Sequence, residues 1–150
     1  MVMMAFYNRF KDLAFKETRV STVLPGKAIP ADEYGFLEFY CDDTRCDCRR
    51  VMIKVLGQRS GDKAWATISY GWESPEFYRK WAGADLLDTE EMCRPTLDPL
   101  NPQSPHAAFF LSVFEETIQD KTYVERLQRH YAMFRQPAKR RGKHLGKLLR

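Results

Sequence analysis

Arg49-Arg50-Val51-Met52-Ile53-Lys54-Val55-Leu56 alternates Val51, Ile53 and Val55 with Arg50, Met52 and Lys54. That period of two places successive side chains on opposite faces of a half-buried strand. Downstream, Gly57 to Asp62 supplies a turn, and Lys63 to Trp72 repeats the pattern with Ala64, Ala66, Ile68 and Tyr70 on one face. Upstream, Gly35 to Cys41 reads as a third run of the same kind. Three strands joined by short connections are most simply an antiparallel meander. Thr18 to Leu24 adds a short strand, and Pro25 to Tyr34 is a loop punctuated by Pro25, Gly26 and Pro30.

Helices flank these strands. Met3, Phe6, Tyr7, Phe10, Leu13 and Ala14 recur at three- and four-residue steps, which predicts an N-terminal amphipathic helix. Ser74-Pro75-Glu76 combines an N-cap, a proline suited to the first helical position and an acid that complements the helix dipole, so Phe77 to Ala82 is expected to be helical. Pro95, Pro99 and Pro102 exclude a long regular element between Asp85 and Gln103. Ser104-Pro105 repeats the helix-start signature ahead of Ala107, Phe110, Leu111, Phe114 and Ile118. A last helix starts near Asp120 or Thr122, with Thr122 and Glu125 as a capping box and Tyr123, Leu127, His130, Tyr131 and Phe134 facing inward. The expected fold is α+β, an antiparallel sheet of three to four strands packed by helices, with a C-terminal helical hairpin.

A chain of 150 residues with 44% hydrophobic and 13% aromatic side chains has the material for a sizeable core. The net charge of +4 is unevenly distributed. Residues 137–150 carry six Lys or Arg and no acid, which leaves 18 basic against 20 acidic side chains in residues 1–136. The division is therefore one α+β domain over 1–136 and a basic tail over 137–150. Lys139, Arg140, Arg141 and Lys143 are the candidate nucleic-acid contacts, since such a tail can lie along phosphates. No apolar run reaches the ~20 residues that span a bilayer and no leader pattern opens the chain, so a cytoplasmic location is expected and no membrane partner.

Chemistry concentrates in Tyr40-Cys41-Asp42-Asp43-Thr44-Arg45-Cys46-Asp47-Cys48-Arg49-Arg50, which holds three of the four cysteines. In a reducing compartment closely spaced cysteines serve as metal ligands or redox groups more often than as disulfides. Cys41 closes one predicted strand, Cys46 sits in the turn and Cys48 opens the next strand, so three sulfurs can converge on a zinc ion. Arg45, Arg49 and Arg50 can offset thiolate charge. Buried, inert thiols and a labile disulfide are the competing readings. For the fourth ligand the residue types offer His130, on the inner face of the last helix, and Cys93, in the proline-rich connection. Ala66 to Glu73 brings Tyr70, Trp72 and the nearby Trp81 together, either as core filling or as a stacking surface for a base.

Tyr40 to Arg50, Ala66 to Glu73, Leu97 to Ser104, and His130-Tyr131 with Phe134 together resemble an uncharacterised family of small bacterial proteins. Some of its members continue into a SEC-C type cysteine motif thought to bind zinc. The resemblance implies that Cys41, Cys46, Cys48 and His130 belong to one pattern, with Cys93 outside it, and it brings no activity with it. Motifs of zinc deaminases, HExxH metalloproteases, nucleophile-elbow hydrolases, P-loops and dinucleotide folds are absent from the sequence. The expected function is a zinc-stabilised binding or adaptor domain. A nucleic-acid-associated protein working through the tail and a zinc-dependent hydrolase with an open metal position are the alternatives.

Overall fold

The computed structural model describes residues 2–83 and 89–136. Six strands form one antiparallel sheet: β1 (Met3–Ala5), β2 (Arg19–Val23), β3 (Asp32–Cys41), β4 (Arg50–Gly57), β5 (Ala64–Gly71) and β6 (Thr96–Leu97). Five helices accompany them: α1 (Lys11–Glu17), α2 (Pro75–Ala82), α3 (Thr89–Met92), α4 (Ala107–Thr117) and α5 (Lys121–Phe134). The expected meander is present as β3, β4 and β5, with Ile53 opposite Glu38 on one side and Ile68 on the other. The α+β class, the antiparallel sheet and the helical pair α4–α5 are as the pattern predicts. Two short strands, β1 and β6, widen the sheet beyond the expected three to four.

The long strand β3 has a divided outer edge. Its first half pairs with β2 (Arg19 opposite Phe36, Val23 opposite Asp32) and its last residues pair with β1 (Met3 opposite Cys41, Ala5 opposite Phe39). The N-terminal helix expected over Met3 to Ala14 is therefore replaced by strand β1, a short 3-10 turn at Phe6–Asn8 and the later helix α1. Backbone pairing with Phe39 to Cys41 outweighs the local helical spacing, because an extended segment at a free edge satisfies amides that would otherwise be left unpaired.

Helix boundaries follow their caps. Ser74 Oγ accepts from Phe77 N–H at 3.2 Å, and Gly83 ends α2 at φ 72°, a left-handed conformation that costs glycine nothing. At α5 the cap is Asp120, whose Oδ1 accepts from Thr122 N–H at 2.9 Å, in place of the expected Thr122–Glu125 box. The core lies between α4–α5 and one face of the sheet. Phe110 tilts against Tyr34 at 4.7 Å, Phe114 stacks on Phe36 at 6.4 Å, and Val51, Ile53, Val55, Ala66 and Ile68 close the layer beneath. Tyr70 meets Phe114 edge-on and Trp72 meets Tyr131 edge-on, so these rings fill space in the fold as core packing would have them. Among the described residues no helix is long and apolar enough to cross a membrane.

Tyr123 is the one misfit in this layer. Its ring is buried, and its hydroxyl has no hydrogen-bond partner. An unpaired buried hydroxyl costs about 1–3 kcal/mol, so Tyr123→Phe is expected to stabilise the protein by about 1 kcal/mol. A thermal melt should show a rise of roughly 2–4 °C. A fall in stability would mean that the hydroxyl is paired after all.

Candidate metal centre

Cys41 is the last residue of β3, and Cys48, expected to open the next strand, lies in the loop two residues before β4; both are fully buried, and Cys46 between them is half-exposed. All four cysteines, Cys93 included, are free thiols. The sulfurs of Cys41, Cys46 and Cys48 lie within 4.8 Å of one another and form a group able to hold a metal ion. Local geometry explains the convergence. Asp43 Oδ1 accepts from Arg45 N–H at 2.9 Å and its carbonyl from Cys46 N–H at 3.0 Å, which folds Asp43 to Cys46 into a tight turn and brings Cys46 back toward Cys41. After Cys48, Arg49 sits at φ 46°, the only non-glycine in the left-handed region among the described residues.

That strained residue is held from all sides. Arg49 N–H donates to the Tyr131 hydroxyl at 3.0 Å, its carbonyl accepts from the Tyr78 hydroxyl at 2.8 Å, and its guanidinium bonds Asp47 and Glu73 and lies 4.3 Å over the Phe77 ring. The consequence appears at the sulfurs. The backbone amides of Arg50 and Asp43 favour the thiolates of Cys48 and Cys41 respectively. Amide donors two residues after a cysteine stabilise a thiolate and leave its other lone pairs free for a metal. A left-handed residue held by this many partners marks a position where the fold maintains strain for a purpose.

Without metal Cys41 and Cys48 stay protonated near neutrality. Burial pushes Cys48 up to about 12, helped by the neighbouring charges of Cys46 and Cys41, and the Arg50 amide opposes it only weakly. Burial also raises Cys41, against the Asp43 amide and the Arg135 charge, which pull it down. A divalent cation would reverse this balance by replacing the lost hydration of the thiolates.

His130 does not join the cysteines. It is fully buried between two carboxylates, Nδ1 at 2.7 Å from Glu38 Oε1 and Nε2 at 2.8 Å from Glu17 Oε1, and it stacks on Phe6 at 4.2 Å. With both ring nitrogens occupied, His130 joins α5 to β3 and to the end of α1. The same Glu38 oxygen accepts from the Tyr40 hydroxyl at 2.6 Å, and burial followed by the Glu38 charge raises that hydroxyl well above its ordinary range, so it remains a donor. Burial works against the Glu17 carboxylate, yet bonds from His130 and Arg129 outweigh it and hold the carboxyl below its usual value. Cys93 is likewise elsewhere, donating to Thr89 O at 3.1 Å in α3 near Arg50.

Glu38 is the site residue that the motif search passed over. It occupies the inward register of β3 with Phe36 and Tyr40, and a lone acid between two core aromatics is the signal that could have found it. Arg135, the residue immediately after the predicted inner face, also belongs to the site. Its Nη2 donates to Asp43 O at 2.9 Å and its Nη1 to the Tyr131 hydroxyl, which fixes its charge beside Cys41. Lys139, Arg140, Arg141 and Lys143 lie outside the described residues. No family model, curated protein or solved structure matches this chain, so its function is read from the site alone.

Proposed function

We propose that Cys41, Cys46 and Cys48 hold zinc and that the chain is a zinc-stabilised binding module. The observation that carries this is the convergence of three sulfurs within 4.8 Å. Thiolate donors suit zinc, and the donor spacing requires little rearrangement to reach Zn–S bonds of about 2.3 Å. Zinc there would tie the end of β3 to the start of β4 and fix the loop that carries Arg45 and Asp47 to solvent. Among the described residues no histidine or carboxylate joins the three sulfurs as a ligand, and a metal held by three thiolates is a poor activator of water. That favours binding over hydrolysis.

Protein purified without added metal should contain about one equivalent of zinc by elemental analysis. Cys46→Ser and Cys48→Ser should lose most of it, whereas His130→Gln should keep it. Less than about a tenth of an equivalent in the parent would overturn the zinc reading. Loss of zinc from a folded His130→Gln variant would return His130 to the ligand set.

A further inference from the structure

The cysteine group combines an incomplete donor set with an unpaired donor beside it. Zinc takes four ligands, and no fourth His, Cys, Asp or Glu of the described residues joins Cys41, Cys46 and Cys48. Cys41 and Cys48 are closed off, so a further ligand reaches the group from the half-exposed Cys46 side. Arg135 reaches the same turn, its Nη2 donating to Asp43 O, the carbonyl that also accepts from Cys46 N–H. Two of its nitrogens are engaged by Asp43 O and the Tyr131 hydroxyl, and its charge is near enough to favour the Cys41 thiolate. Its Nε is buried and has no hydrogen-bond partner. A buried N–H left unpaired costs about 1–3 kcal/mol, and in a native fold such a group calls for an occupant.

Charge and softness narrow the choice of that occupant. Three thiolates on a divalent zinc leave a net negative charge, which makes the metal a poor activator of water but still a good acceptor for sulfur. A fourth thiolate raises the negative charge again, and a fixed guanidinium is suited to offset it. We propose that the metal held by Cys41, Cys46 and Cys48 takes a thiolate from outside the described fold as an exchangeable fourth ligand, with Arg135 offsetting its charge. This rests on the zinc reading above. The thiol binds as thiolate through a sulfur lone pair, its proton passing to solvent, and no oxidation is involved. The source is either a small-molecule thiol or a cysteine of a partner peptide.

Cobalt(II) in place of zinc makes the fourth ligand visible. The full chain is loaded with cobalt under oxygen-free conditions and titrated with mercaptoethanol and, separately, with a cysteine-bearing tripeptide. Thiolate-to-cobalt charge-transfer absorbance is expected to rise by about one third, four Co–S bonds replacing three. Arg135→Gln should weaken the thiol affinity about tenfold in the cobalt-loaded protein, with Arg135→Lys recovering part of it. Saturation by both probes supports the thiol site with small molecules included, and saturation by the tripeptide alone assigns it to a partner's cysteine. A spectrum unmoved by either probe overturns the inference while leaving the metal site standing. A thiol-free spectrum that changes in Cys93→Ser or His144→Ala also overturns it, because the fourth ligand would then be internal. Failure to take up cobalt or zinc at all removes the metal reading beneath both.

Discussion

His130→Ala is expected to destabilise the protein by about 3–5 kcal/mol, the range for leaving a buried carboxyl group without its partner. The reason is Glu38. Its carboxylate is 4% exposed and would keep only the Tyr40 hydroxyl once the imidazole is gone. Glu38 Oε1 faces Nδ1 and Glu17 Oε1 faces Nε2, and alanine offers neither carboxyl group a partner. The loss of the stack on Phe6 adds to the cost. Urea unfolding monitored by circular dichroism gives the number. His130→Gln, which can still donate to one carboxylate, should recover part of the stability, and His130→Leu combined with Glu38→Leu should recover most of it, because a well-packed apolar pair carries no buried charge. A cost below about 1 kcal/mol for His130→Ala would show that Glu38 is solvated in solution.

Metal affinity is expected to climb steeply with pH. Cys41 is raised and Cys48 is raised to about 12, both chiefly by burial, so near neutrality both hold protons that a metal must displace. Displacing the Cys41 and Cys48 protons alone gives at least about a 100-fold gain in apparent affinity for each step of one pH unit, as long as the pH stays below both thiols. Competition against a chromophoric chelator at several pH values around neutrality measures that slope, and a flat profile would refute it. The metal-free fold should respond in the opposite direction. A thiol raised in the folded state ionises first in the unfolded chain, so its stabilising contribution is complete below the ordinary cysteine value of 9.0 and fades as pH rises toward about 12.

The sheet was legible where one face is core and the other is not. Val51, Ile53 and Val55 alternate because β4 lies on the helices with that face alone, and the cysteine turn followed once β3 and β4 were adjacent. Met3 to Ala5 was not legible. Its partners Phe39 to Cys41 lie far along the chain, and helical spacing in Phe6, Phe10 and Ala14 arises here from a turn and a short helix that both pack on the core. β6 is two residues long and surrounded by prolines, too short for any period to show. His130 was correctly placed on the inner face of its helix. Its partners were hidden, since nothing local pairs it with Glu38, 92 residues earlier, or with Glu17, 113 residues earlier. Residue types alone point to His130 and Cys93 as fourth ligands, whereas the unpaired Arg135 nitrogen is a property of packing.

The bridge from Glu38 through His130 to Glu17 also orders events during synthesis. Strands β3, β4 and β5 leave the ribosome well before α5, and the meander can pair its backbone as soon as it emerges. Its inner face then carries a carboxylate that has no imidazole to receive it. Closing that face against α4 alone would bury Glu38 with only Tyr40 as partner, at a cost of several kcal/mol. Stable closure of that face is therefore expected only once α5, with His130, is available to pack on it. Stalled or truncated products that end before this point present an unclosed, aromatic-lined sheet, the kind of surface that chaperones and proteases act on.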